Sequence, residues 1–104
     1  MKVLHLSDVP WTAVDALERE RTVTLLPIGA VEAHGPHLPT STDRVIARGM
    51  VEAGAERLAD AGWNALILPA VDYTAASFAA DFPGTISLRP STVIEVLVDV
   101  AAGL

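Results

Sequence analysis

The chain has 104 residues, a net charge of −6 at pH 7, no cysteine, and hydrophobic residues at 51% of its positions. The acidic balance argues against a nucleic-acid partner, and the lack of cysteine excludes disulfides, thiolate metal ligands and a cysteine nucleophile. No apolar run approaches the roughly 18 residues that a membrane-spanning helix needs, so we expect a cytoplasmic protein with no membrane partner.

Short apolar runs alternate with longer helical patterns, which is typical of an α/β fold with a parallel sheet flanked by helices. The first part of the chain predicts an edge strand at residues 3–6 and a helix at residues 10–19. A strand rich in β-branched residues follows at residues 22–26, where Pro27 ends it, and its composition predicts a buried position in the sheet.

The second part of the chain repeats this alternation of loop, helix and strand. The predicted elements are a loop at residues 29–42, a helix at 44–61 stopped by Gly62, a buried strand at 65–68, a long loop at 70–85, an extended piece at 86–88 and a helix from Pro90 onward. Residues at helical spacing predict one apolar stripe on each helix, Ala47, Val51, Ala55 and Leu58 on the first and Val93, Leu97 and Val100 on the second. Only two strands have a clear core pattern, so we expect the sheet to be incomplete in this chain.

The loop after the second strand contains two carboxylates and two imidazoles, at Glu32, His34, His37 and Asp43. Residues two apart in an extended segment point the same way, so Glu32 and His34 are expected to face one site. Asp43 returns at the start of the next helix. Imidazole and carboxylate ligands without thiols suit a divalent metal, and sites in α/β sheets form where strands end.

Each of these residues also has a purely structural interpretation. Asp43 could cap the N-terminus of the following helix, and Glu32 could be a solvated loop carboxylate. His34 or His37 could be held by a bond to a backbone carbonyl. The spacing alone leaves these alternatives open beside the metal site.

The string LPIGAVEAHGPHLPTSTD, at residues 26–43, resembles the signature of the creatininase family. In that family a strand ends in Pro-Ile-Gly and is followed by Glu-x-His-Gly-Pro-His-Leu-Pro and then Thr-Asp. The string FPGTIS, at residues 82–87, resembles the second motif of the family. The resemblance covers most of the chain and identifies residues 1–104 as a single, N-terminal portion of a creatininase-like domain.

The resemblance implies a metal-dependent amidohydrolase that acts on a non-peptide C–N bond of a small molecule, such as a cyclic amide or a formamide. It implies two ions, zinc or manganese, with Glu32 on one ion, His34 on the other and Asp43 bridging them. His37 would support the site by donating an N–H to a carboxylate. The full-length protein would be a homo-oligomer, commonly a hexamer.

Two features depart from the family pattern. Many members have a histidine and a glutamate in the segment that here reads YTAASFA, residues 73–79. Tyr73 remains, and it either contacts the substrate through its hydroxyl or packs at a strand end. No histidine follows His37, so the later metal-binding histidine of the family is absent. The alternative function is therefore a non-catalytic fragment or homologue that serves in assembly or binding.

Overall fold

The computed structural model describes all 104 residues and contains three strands and three α-helices. In chain order the elements are β1 (Val3–His5), α1 (Trp11–Asp15), β2 (Thr22–Leu25), α2 (Thr42–Asp60), β3 (Asn64–Ile67) and α3 (Pro90–Ala102), with 3₁₀ turns at Leu6–Asp8, Arg19–Arg21 and Ser77–Ala79. The chain forms two compact units, one from Met1–Pro27 and Ile46–Ala70 and the other from Ile28–Val45 and Val71–Leu104.

The sheet of the first unit is parallel and has the strand order β1-β3-β2. The central strand β3 places Leu66 beside Leu4 of β1 and Thr24 of β2. All four residues of β3 are buried, whereas the residues of β1 and β2 are only half-buried because both strands form edges. The predicted parallel α/β fold is confirmed, but the prediction that β2 is a buried strand is wrong.

The core of the first unit forms between β3 and the C-terminal part of α2. Ala55 of the helix and Ala65 and Ile67 of the strand are its buried members. Val51 and Leu58, one helical turn to either side of Ala55, pack against them. The predicted apolar stripe of α2 is therefore confirmed, and the two small alanines allow the helix to lie close to the strand.

The C-terminus of α2 ends in a Schellman motif. Gly62 has a φ of 90° and donates its N–H to Ala59 O, and Trp63 donates its N–H to Leu58 O at 2.9 Å. Only glycine adopts this left-handed conformation at low cost. The predicted stop at Gly62 is confirmed.

The first helix is shorter than predicted. It ends at Asp15, and residues 19–21 form a separate 3₁₀ turn. No residue of α1 is buried. Without an apolar face packed on the core, helix propensity alone does not extend so short a segment.

The second unit consists largely of loops joined by isolated bridges, with α3 as its one complete helix. Ile28 pairs with Val71 in parallel, and Val31 pairs with Ile86 in antiparallel orientation. In α3 the predicted stripe of Val93, Leu97 and Val100 is half-buried, and no residue of the helix is fully buried.

None of the helices combines the length and the hydrophobicity that crossing a membrane would require.

Candidate metal centre

Glu32, His34 and Asp43 form a cluster in the second unit. Each offers one ligand atom, and these atoms lie within 4.8 Å of one another. Glu32 is 7% exposed, and the other two side chains are half-buried. His34 Nε2 lies 3.3 Å from Asp43 Oδ1. The three residues proposed as ligands from the sequence are therefore brought together by the fold, and their role as ligands remains a proposal.

Backbone hydrogen bonds hold the segment that carries Glu32 and His34. Glu32 donates its N–H to Thr40 O at 3.1 Å, and Ala33 donates its N–H to Thr85 Oγ1 at 3.0 Å. Gly35, with a φ of 72°, then reverses the chain direction, since this conformation is open mainly to glycine. The segment thus brings both side chains to one site, as their spacing predicts.

Asp43 reaches the cluster from the first turn of α2. The helix begins at Thr42, whose hydroxyl donates to Pro39 O at 2.6 Å. Asp43 is therefore the second residue of the helix rather than the N-cap before it, and its carboxylate faces His34. A negative charge in this turn interacts favourably with the helix dipole.

A close backbone contact fixes the start of α2 against the segment that leads to Glu32. A Cβ atom on Gly29 would lie 2.9 Å from Arg44 Cα and 3.0 Å from Arg44 N. Gly29 also donates its N–H to Val71 O, and its carbonyl accepts a bond from the buried Thr74 hydroxyl at 2.7 Å. Only a residue without a side chain fits here, next to the residue that follows Asp43.

The electrostatics of the cluster favour a cation. The pKa of Glu32 is raised above its ordinary value by a hydrogen bond with Asp43, by burial and by the negative charge of Asp43, against a smaller opposing effect of His34. No lysine or arginine forms an ion pair with Glu32 or Asp43, and Arg44, the residue after Asp43, lies 3.7 Å from Asp72. A divalent ion would relieve this repulsion.

The orientation of the His34 ring also suits a metal ligand. Its Nδ1 lies 3.3 Å from Glu32 O, and a backbone carbonyl can only accept a hydrogen bond. An imidazole that donates from Nδ1 presents the lone pair of Nε2 towards Asp43 Oδ1. Metal-binding histidines are commonly oriented in this way, so the residues present fit a divalent ion.

Two other predicted site residues lie outside the cluster. His37 is exposed and forms no hydrogen bond with a cluster carboxylate, so its supporting role stays a prediction. Tyr73 is 56% exposed, which leaves its hydroxyl accessible, and its contact with a substrate also stays a prediction.

Two features near the site were not predicted from the sequence. Asp72 has one buried carboxylate oxygen without a hydrogen-bond partner, and its other oxygen faces Arg44. Thr85 bonds the backbone between two candidate ligands. Thr85 lies in the FPGT string, which resembles a family motif, but the string does not predict a bond to Ala33.

The fold and the cluster together define an α/β protein with a candidate divalent-metal centre. The chain belongs to the creatininase family, because the family model described as creatinine amidohydrolase matches residues 7–104. The fold and the family support the hydrolase class that the motifs predict.

Similar proteins fall into two groups. A mycofactocin precursor peptide peptidase of Mycolicibacterium smegmatis is 37% identical over 78 residues, which are 74% of this chain and 32% of the relative. Creatinine amidohydrolase of Pseudomonas putida is 28% identical over 95% of this chain and 38% of its own length. The chain thus spans about a third of the length of these relatives.

The solved structures that this chain resembles include creatininases, in agreement with the creatinine amidohydrolase found by sequence. A crystal structure of creatinine amidohydrolase matches with a TM-score of 0.82 and 27% identity, over 93% of this chain and 38% of that one. A mutant creatininase described as the Zn-Zn type matches with a TM-score of 0.79 and 26% identity, over 92% and 38%. Together with the cluster, the zinc-type structure indicates a divalent metal.

Proposed function

We propose that this chain contributes the Glu32, His34 and Asp43 ligands to the metal centre of an amidohydrolase that cleaves a non-peptide C–N bond. The observation that carries the proposal is the convergence of two carboxylates and an imidazole within 4.8 Å. A creatininase neighbour described as a complex with creatine supports a small-molecule substrate. The metal is zinc or manganese, and the zinc-type neighbour favours zinc.

Glu32, His34 and Asp43 would hold the divalent metal, and the family resemblance implies that Asp43 would serve both ions of a two-ion centre. A bound divalent ion supplies positive charge that polarises a carbonyl group and acidifies a water molecule. Burial of Glu32 keeps bulk water from its carboxylate, and the bond from the His34 ring to Glu32 O keeps Nε2 directed inward. His37 and Tyr73 are proposed to assist from the exposed side, as hydrogen-bond donors.

Hydrolysis of a peptide C–N bond is a second candidate activity. The peptidase relatives are 35–37% identical to this chain, more than the 28% of the creatinine amidohydrolase. The segment at residues 73–79 lacks the histidine and glutamate of many family members and exposes the Phe78 ring, which suits a less polar substrate than creatinine. Comparing creatinine with a short peptide as substrates of the whole protein would separate these two activities.

The non-catalytic alternative rests on the number of ligands. A centre with two ions needs about four to six protein ligands, and the cluster has three.

We also propose that the whole protein is cytoplasmic and forms a homo-oligomer, which the family resemblance implies is a hexamer.

Replacing Asp43 tests the metal centre directly. In the whole protein, we expect Asp43→Ala to lose most of the zinc or manganese that the wild type retains, because a carboxylate that serves two ions affects both. Asp81→Ala, which removes an exposed carboxylate outside the cluster, should retain the wild-type content. Elemental analysis of the purified variants measures this. Equal metal content in Asp43→Ala and the wild type would refute the assignment of Asp43.

A further inference from the structure

A single hydroxyl group contacts the backbone between two of the proposed ligands. The N–H of Ala33, the residue between Glu32 and His34, donates to Thr85 Oγ1 at 3.0 Å across 52 positions of sequence. Other hydrogen bonds of this segment, such as that from Glu32 N–H, go to backbone carbonyls. The Thr85 side chain is therefore a specific partner of this peptide group.

The same peptide group also orients the His34 ring. In a trans peptide the N–H of Ala33 and the C=O of Glu32 point in opposite directions from one rigid plane. Thr85 binds the N–H side of this plane, and His34 Nδ1 lies 3.3 Å from the carbonyl oxygen on the other side. Rotation of the plane would therefore move the acceptor that holds the ring.

The opposite edge of the ring faces the third proposed ligand, with His34 Nε2 at 3.3 Å from Asp43 Oδ1. A continuous series of contacts thus runs from the Thr85 hydroxyl through one peptide plane and one imidazole to Asp43. The two hydrogen bonds on either side of the Glu32–Ala33 peptide plane polarise and align one another.

The backbone on both sides fixes the position of Thr85. Its N–H donates to Phe82 O at 3.2 Å in a turn, and Gly84 within that turn has a φ of 90°. The next residue, Ile86, donates its N–H to Val31 O at 2.9 Å. The turn and the bridge together place the Thr85 hydroxyl beside the Ala33 N–H, so the FPGT string has a structural role at the site.

We propose that Thr85 is a positioning residue of the metal centre: its hydroxyl fixes the Glu32–Ala33 peptide plane and thereby directs His34 Nε2 towards the metal. The inference rests on the proposed function, since it assumes that the cluster binds a metal. Outer partners of metal ligands commonly change metal affinity by roughly 10-fold to 100-fold when they are removed.

The test compares Thr85→Val and Thr85→Ala with Thr85→Ser in the whole protein. Valine keeps the shape of threonine but cannot accept the Ala33 N–H, whereas serine keeps the hydroxyl. We expect the valine and alanine variants to raise the Kd for zinc roughly tenfold and the serine variant to restore tight binding. Thr22→Val, which removes a hydroxyl bonded to Glu18 O in the other unit, is the matched control and should leave the Kd unchanged.

Three measurements distinguish positioning from general support of the fold. Competition with a chromophoric chelator measures the Kd for zinc, and the visible spectrum of the Co²⁺-loaded protein reports the ligand geometry. Exchange of the Ala33 amide hydrogen, followed by NMR, reports the bond to Thr85 itself. The cobalt spectrum should change in Thr85→Val and return in Thr85→Ser, and Ala33 exchange should accelerate only where the hydroxyl is lost.

The outcomes separate this inference from the proposed function. If the wild-type protein binds zinc and both Thr85→Val and Thr85→Ala bind it equally well, Thr85 does not position the centre. A serine variant that binds as weakly as the valine variant would also overturn the inference. Failure of the wild-type protein to bind zinc or cobalt would refute the metal centre itself, and this inference with it.

Discussion

At the scale of single residues, Glu32 shows how a site can work against the stability of its own fold. Its side chain is 7% exposed, lies beside Asp43 and has no lysine or arginine partner. Burying a carboxylate without a cation is unfavourable, so the metal-free chain holds this group at a cost in stability. A bound cation would remove this cost.

This arrangement predicts a pH-dependent effect of Glu32→Gln on the metal-free chain. The pKa of Glu32 is raised in the folded state, so the stability contributed by its proton is present at low pH and is lost as the pH rises through that pKa. Glutamine stays neutral at every pH and can still donate a hydrogen bond to Asp43. We therefore expect Glu32→Gln to be more stable than the wild type at pH 7.

Denaturant unfolding in the presence of a chelator measures the difference in the free energy of unfolding. The difference should shrink as the pH falls and vanish below the ordinary glutamate pKa of 4.5. Glu56→Gln, at an exposed position of α2, should not show this behaviour. A Glu32→Gln variant less stable than the wild type at pH 7 would contradict the explanation.

At the scale of elements, the first turn of α2 is placed by contact with the backbone at Gly29. Because the nearest atoms to a Cβ at Gly29 belong to the main chain of Arg44, no side chain can move aside to make room. Asp43 precedes Arg44 in the same turn, so a shift of this turn also moves a proposed ligand away from His34.

We expect Gly29→Ala to lower the free energy of unfolding by about 1–3 kcal/mol, as overpacking of a tight contact does. Gly49→Ala in α2 is the matched control, since nothing lies within 4 Å of its added Cβ. In a helix interior this replacement should instead stabilise the chain by roughly 0.5–1 kcal/mol. Chemical denaturation of both variants checks the pair, and equal effects at the two positions would contradict the contact.

At the scale of the whole molecule, the chain leaves much apolar surface uncovered. The exposed large hydrophobic side chains include Trp11 at 76%, Met50 at 73% and Phe78 at 81%. Strands β1 and β2 each pair on one side only, so the sheet has two open edges. Open edges and apolar surface promote association between chains.

We therefore expect the 104-residue chain, expressed alone, to self-associate, to bind metal weakly and to hydrolyse no amide. Light scattering after size exclusion, metal analysis and an amide hydrolysis assay on one preparation measure the three properties together. A monodisperse monomer that holds two equivalents of metal and turns over an amide would overturn this expectation.

Several features of this protein were determined by the sequence itself. The periodicity of apolar residues predicted the parallel α/β class and the stripe of α2, and the glycine at position 62 predicted the end of that helix, because these features follow from local sequence. The motif strings predicted the family and the identity of the clustered residues. The common direction of the Glu32 and His34 side chains could be predicted because residues two apart in an extended segment point the same way.

Other features were decided only by the tertiary structure, because they depend on contacts between residues distant in sequence. The apolar run of β2 is the same whether the strand is central or at an edge, so only the strand order revealed its half-buried state. The helix α1 ends at Asp15 because none of its residues is buried in the core, and the sequence pattern does not reveal that. The bond between Ala33 and Thr85 spans 52 positions, and no local pattern encodes a contact at that distance.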